Sequence, residues 1–200
     1  MNTRCTILPD PRLEEIRTAL REILGRVGQS IEPGNFASWL DPLMQQVLGR
    51  GFADAHAHEG TVWLVDSAEE NLVPAFNTGP RAATFTGKFQ QPLNSGLISM
   101  VFATEQPFVE NDVGRNAQHS KQLDTLLQVQ THALIAVPFH FLKSCRGVIS
   151  CVQLLPPGTA PSNLPGFSPA NLEAVLRAAE LLSRLLEFRI LASTIGWTAV

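Results

Sequence analysis

The sequence has 200 residues, 44% of them apolar, and a formal net charge of −3. That composition supports one globular domain with extensions and excludes a wholly disordered chain. Its basic residues are scattered, so it carries no footprint for nucleic acid, and no apolar run approaches the roughly 20 residues a membrane-spanning helix needs.

Residues 1–10 read as a short tail without the apolar core of a secretory signal. With three cysteines and no C-x-x-C pair, reduced thiols and a cytoplasmic location are expected. Asp10-Pro11 has the chemistry of a helix start, and residues 11–34 are assigned to an N-terminal helix. Its apolar residues Leu13, Ile16, Leu20, Ile23 and Val27 step by three and four, a heptad seam that suits either its own domain or a second copy. A second helix is predicted over Phe36–Leu48, ended by Gly49-Arg50-Gly51. Thr61–Asp66 and Leu72–Asn77 read as a β-hairpin. Residues 78–94 read as loop with at most one weak strand, followed by a short helix over Gly96–Thr104 and a strand at Phe108–Glu110. The segment Gly114–Gln130 is polar, with Leu123, Leu126 and Leu127 on one helical face. Ala133–Phe139 and Gly147–Leu155 are the strongest strand signals, joined by a turn over Lys143–Gly147. A Pro-rich loop spans Pro156–Pro165. Ser168-Pro169 then opens a last helix, whose residues Leu172, Val175, Ala179, Leu182 and Leu186 again form a heptad seam. Residues 191–200 are a C-terminal tail. Short antiparallel strands with helices before and after them describe an α+β domain.

Several motifs occur in a telling order. Gly96 leads a helical turn, Thr104 and Pro107 follow, and a short strand closes on Asn111-Asp112. Then come Val137-Pro138-Phe139, Gly147-Val148, Val152-Gln153-Leu154, and Phe167-Ser168 before the last helix. This ordered set resembles the GAF domain family of small-molecule sensor and regulatory modules, over roughly residues 35–190. The resemblance implies a GAF-like, PAS-related central antiparallel sheet with the N- and C-terminal helices packed on one face. It also implies a pocket between the sheet and the segment after Asp112, lined by Asp112, His119, Leu123, Leu126, Ala133, Ile135 and Val137.

Departures from the family's patterns bear on the ligand. Where cyclic-nucleotide binders of the family carry Asn-Lys after the last strand and Asp-Glu in the last helix, this chain has Pro156-Pro157 and Asn171-Leu172. Gly114–Gln130 holds no cysteine for a bilin, and no histidine is placed as an axial haem ligand. No cofactor is expected.

His56 and His58 would share one face of a strand and could reach a metal, but no third ligand is visible, and a solvated loop is the favoured reading. His132 and His140 stand apart. Cys145 is expected to be exposed in a turn and Cys151 to be core; Lys143 and Arg146 could lower the Cys145 pKa, although an unreactive thiol is favoured. Gly49-Arg50-Gly51 lacks the length and the Lys-Ser/Thr of a phosphate loop. No nucleophile, base and orienting group occur together. The expectation is a non-catalytic sensory or regulatory module that binds a small molecule and signals through its flanking helices to a separate output protein. It would act as a homodimer across Leu13, Ile16, Leu20, Ile23 and Val27 and across Leu172, Val175, Ala179, Leu182 and Leu186. Two alternatives are a dimerisation module with an empty pocket and a small redox enzyme using Cys145 or Cys151.

Overall fold

The structure is a computed structural model that describes Pro11, residues 14–156, Gly158 and residues 164–197. The expected tail 1–10, Leu13 and most of the Pro-rich segment lie outside the described residues.

Seven α-helices and six strands are described, in the order α1 (Glu14–Gln29), α2 (Phe36–Trp39), α3 (Pro42–Asp54), β1 (Glu59–Val65), β2 (Asn71–Asn77), α4 (Ala82–Phe85), β3 (Gln91–Pro92), α5 (Leu97–Thr104), β4 (Phe108–Glu110), α6 (Gln122–Leu127), β5 (Thr131–Phe141), β6 (Ser144–Leu154) and α7 (Pro169–Thr194). The strands form one antiparallel sheet in the order β3-β2-β1-β6-β5-β4. None of the described helices is long and apolar enough to cross a membrane.

Helices α1, α2, α3 and α7 cover one face of this sheet. Phe36, Met44, Leu48 and Phe52 pack with Val62, Leu64, Ile135, Val137, Phe139 and Ile149 and with Val175, Leu182, Leu186 and Ile190 of α7. Each such side chain removed from water contributes roughly 1.5–3 kcal/mol. The opposite face carries a smaller cluster of Trp63, Leu72, Leu97, Val101, Val113, Leu134, Ala136 and Val148.

The predicted helix Phe36–Leu48 is two helices. Leu40 leaves helical geometry, and the Asp41 carboxylate accepts a hydrogen bond from the backbone N–H of Met44 with Pro42 behind it, an N-cap with the same logic as Asp10-Pro11. Nor does Gly49-Arg50-Gly51 end the second one, which continues to Asp54. Gly51 is there because a Cβ would fall 2.3 Å from Cβ of Ala178, so it lets α3 and α7 approach closely. The last turn also differs from expectation. It lies at Leu142-Lys143, both with positive φ as a two-residue hairpin requires. The tip is held from outside, since the Leu142 N–H donates to Glu187 Oε1 (2.6 Å) and the Leu142 side chain fills the space above Gly28. Gly147 is therefore a strand residue. A Cβ there would meet the Trp63 carbonyl oxygen at 1.8 Å.

The heptad seam of α7 is consumed by the chain's own core. Val175, Leu182 and Leu186 are fully buried and Ala179 nearly so, with Leu172 packed at the edge. This revises the expectation that a second copy covers that seam. On α1, Val27 packs on the core and Leu20 is partly buried, while Ile16 and Ile23 face solvent.

Candidate functional site

On the sheet face away from α7 lies a partly open cavity of about 80 Å³. Strand alternation decides what lines it. β1 turns Glu59, Thr61 and Trp63 toward the cavity and Val62 and Leu64 toward the helices; β6 turns Ser150, Val152 and Leu154 the same way. From β5 come Thr131 and Leu134, on either side of an irregularity in the pairing between Thr131 and Ala133. Gln91 and Asn77, the start of α5 at Gly96–Ile98, and His119, Leu123, Asp124 and Leu127 of the α6 segment complete the wall.

The lining is mostly apolar, with Trp63, Phe85, Leu97 and Leu134 among it, and a few polar groups are set into it. Thr61 and Ser150 face each other in register on β1 and β6, and both are buried. The Trp63 indole N–H donates to Ser150 Oγ (2.9 Å), and Asn77 Nδ2 donates to Thr61 Oγ1 (2.9 Å). Gln91 is buried and donates through Nε2 to the Ser95 carbonyl (2.8 Å). Beneath the cavity rim, Asp124 ties the α6 segment to β5. It accepts the Thr131 backbone N–H (2.9 Å) and the Thr131 hydroxyl (2.7 Å), and it lies 3.4 Å from His119 Nε2. Burial works to raise the Asp124 carboxyl; the hydrogen bonds from His119 and Thr131 outweigh it and hold the group below its usual value.

The segment over this cavity is thinly anchored. Between Val113 and Gln130 only Val113 and Leu127 are buried apolar residues, and Leu123 and Val129 are partly buried. Low apolar burial means low local stability.

Of the residues the resemblance implied, His119 and Leu123 line the cavity. The others do not. Asp112 is exposed and pairs with Arg115 (3.3 Å), and Leu126 points to solvent. Ala133, Ile135 and Val137 face the helices, one residue out of phase with the cavity face. β5 is buried on both sides, so its sequence has no polar alternation to set the phase. Thr61, Gln91, Asp124 and Ser150 went unrecognised. A signal existed for two of them: Glu59 and Thr61 alternate with apolar residues along β1, and Ser150 is the hydroxyl directly opposite Thr61.

Other candidates resolve into structure. Asn111 pins β4 to the start of α7, donating to the Phe167 carbonyl (3.0 Å) and accepting the Phe167 N–H (2.6 Å). His56 and His58 precede β1. His58 Nδ1 accepts the Leu154 N–H (2.9 Å), and no metal-holding group of three His, Cys, Asp or Glu is found among the described residues. Cys145 is partly buried, and burial pushes its thiol up; Cys151 is fully buried, and burial pushes its thiol up much further.

The comparisons with known proteins follow from this architecture. The GAF domain family matches residues 15–186. This chain belongs to the GAF domain family. The GAF domain of a phosphoenolpyruvate-protein phosphotransferase from Coxiella burnetii shares 16% identity at a TM-score of 0.59, covering 90% of this chain and 96% of that one. The GAF-B domain of DevS from Mycobacterium smegmatis shares 17% at 0.54, covering 79% and 100%. A free methionine-R-sulfoxide reductase from Neisseria meningitidis, solved with its substrate, shares 19% at 0.52, covering 96% and 97%. At these identities the likeness shows the fold alone. No curated protein matches the sequence.

Proposed function

We propose that this GAF domain is a non-catalytic sensory or regulatory module of the cytoplasm, which takes up a small molecule between β1, β5, β6 and the α6 segment. One observation carries the reading: buried polar side chains line a partly open cavity beneath a weakly anchored segment. At about 80 Å³ the cavity is well under the roughly 300 Å³ at which pockets for drug-sized ligands begin, so the α6 segment opens for entry and closes on a compact guest. The raised thiol pKa values favour binding over cysteine redox chemistry, because the thiolate is the nucleophile. A thermal-shift screen of nucleotides, amino acids, short organic acids and tetrapyrroles tests the reading. A rise in melting temperature that saturates with one compound supports it. Silence across the panel favours the second reading, an empty-pocket interaction module, which the small cavity volume also fits.

Signalling would pass through α1 and α7 in a homodimer to a separate output protein. With the buried seam occupied, the exposed apolar residues left are Leu181 and Phe188 of α7 and Ile195 just past its end, spaced at seven residues, and Ile16 and Ile23 of α1. A double substitution, Leu181→Glu with Phe188→Glu, is expected to leave a folded monomer in light scattering. A wild type that is monomeric at high micromolar concentration removes this part of the proposal.

A further inference from the structure

The buried polar groups of the cavity have bonding capacity to spare, and its sign is specific. Gln91 is 5% exposed; its Nε2 is used by Ser95, and its Oε1 accepts no hydrogen bond among the described residues. Ser150, 3% exposed, accepts from Trp63, and Thr61, 7% exposed, accepts from Asn77; neither hydroxyl donates to a described residue. These groups each keep one hydrogen-bonding site open on the same cavity, where a guest can use it; the buried side-chain atoms without any partner among the described residues, Thr86 Oγ1 and Gln153 Oε1, do not line it. Charge then narrows the guest. Glu59 lines the cavity with its carboxylate against Gly79 and has no ion-pair or hydrogen-bond partner among the described residues. The second carboxylate, Asp124, is matched by His119 and Thr131. No Lys or Arg among the described residues lines the cavity. An anion would face Glu59 without a counter-charge.

We infer that the cavity recognises a compact ammonium compound, its –NH₃⁺ donating to the Glu59 carboxylate and the Gln91 Oε1. The inference rests on the small-molecule reading above and names its ligand class. An ammonium has three donors and no acceptor, which suits one free carboxylate and one free amide oxygen. The other end of the guest meets donors: the Ser150 and Thr61 hydroxyls, and the first turn of α5 at Leu97-Ile98, which has no side-chain cap. A hydroxyl or carboxylate two carbons or fewer from the nitrogen fits that arrangement.

The Trp63 indole N–H on the cavity wall gives a site-specific readout, with the indoles of Trp39 and Trp197 outside the cavity as controls. ¹⁵N-labelled protein is titrated at neutral pH with ethanolamine, glycine and ethylammonium, and in parallel with ethylene glycol and acetate as neutral and anionic probes of matched size. The expected result is a saturable shift of the Trp63 indole signal with the ammonium probes, at least about tenfold tighter than with the other two. A stronger response to glycine than to ethanolamine assigns a carboxylate to the α5 end, and the reverse assigns a hydroxyl; either supports the ammonium site. In Glu59→Gln the ammonium probes should weaken about tenfold while ethylene glycol is unchanged. If ethylene glycol or acetate moves Trp63 as well as the amines do, or if Glu59→Gln binds amines like the wild type, the ammonium inference is overturned and the cavity remains a binding site. If no probe moves Trp63 beyond the two controls, the ammonium inference falls, and the thermal-shift panel decides the small-molecule reading separately. The wild-type comparison decides even if the variant is poorly folded.

Discussion

The two faces of the sheet solve different problems with the same strands. Toward α3 and α7, β1, β5 and β6 present Val62, Leu64, Ile135, Val137, Ile149 and Cys151, all essentially without solvent contact. Toward α5 and α6 the same strands present Thr61, Ser150 and Thr131, also buried, next to Trp63 and Leu134. An apolar interior gains from every methylene removed from water. A buried hydroxyl or amide contributes little net stability and costs about 1–3 kcal/mol if left unpaired. The three strands place Thr61, Ser150 and Thr131 on the cavity face, whereas the buried polar side chains toward the helices include Gln153 of β6 and Asn171 of α7, which bond to backbone carbonyls of neighbouring segments. The difference separates a closed apolar face from the proposed binding face.

The largest effects should fall on the helix side. Gly147→Ala drives a methyl into the Trp63 carbonyl and should destabilise by about 3 kcal/mol or more, read as a fall in the denaturation midpoint. Leu182→Ala should cost about 3 kcal/mol by cavity formation, and Leu182→Glu should unfold the domain, not merely separate a dimer. If Leu182→Glu stays folded, the helix-side core is wrongly described.

On the cavity side the same kind of truncation should cost less. Ser150→Ala removes the acceptor of the Trp63 indole N–H, and because that N–H gains access to cavity water the loss should be about 1 kcal/mol. The indole signal of Trp63 should move while those of Trp39 and Trp197 stay. A loss equal to that of Leu182→Ala would erase the distinction between the faces.

Acid should sharpen the contrast further. The Asp124 carboxyl is held below its ordinary value in the folded chain, so its contribution is present above the unfolded value, about 3.9, and is lost as pH falls through the folded one. Glu110, held down by its bonds to Asn116 and Asp112, acts in the same direction at the start of the same segment. Lowering the pH from 5 toward 3 should loosen residues 113–130 before the helix-side core, and Asp124→Asn should flatten that dependence. Loosening that begins instead as pH rises would contradict this.

The smallest effect belongs to the hairpin tip. Lys143 has φ 66°, and Lys143→Gly should stabilise by up to about 1 kcal/mol through relief of a left-handed conformation. Leu142→Gly should not, because Leu142 is packed over Gly28.

What the sequence disclosed follows the same division. The hairpin of β1 and β2, α5 and β4 were legible because alternation, a glycine-led turn and local punctuation define them. The seam of α7 was legible as a packing face, yet three-four spacing says only that a face is covered, and here the cover is the chain's own sheet. Gly51 and Gly147 read as punctuation because the sequence cannot show Ala178 or the Trp63 carbonyl pressing on them. The cavity was half visible. His119 and Leu123 lie on an amphipathic segment, whereas the cavity residues of β5 and β6 sit in strands buried on both faces, where one residue of phase separates core from site.

The central claim is that residues 113–130 form a lid over a binding cavity while the opposite face is closed core, and hydrogen exchange tests it most directly. Amides of 113–130 should exchange orders of magnitude faster than those of β6 and α7 in the free protein, and should slow when ethanolamine or glycine is present at saturating concentration, with β6 and α7 unchanged. A lid as protected as β6 and indifferent to every compound tried would contradict the account.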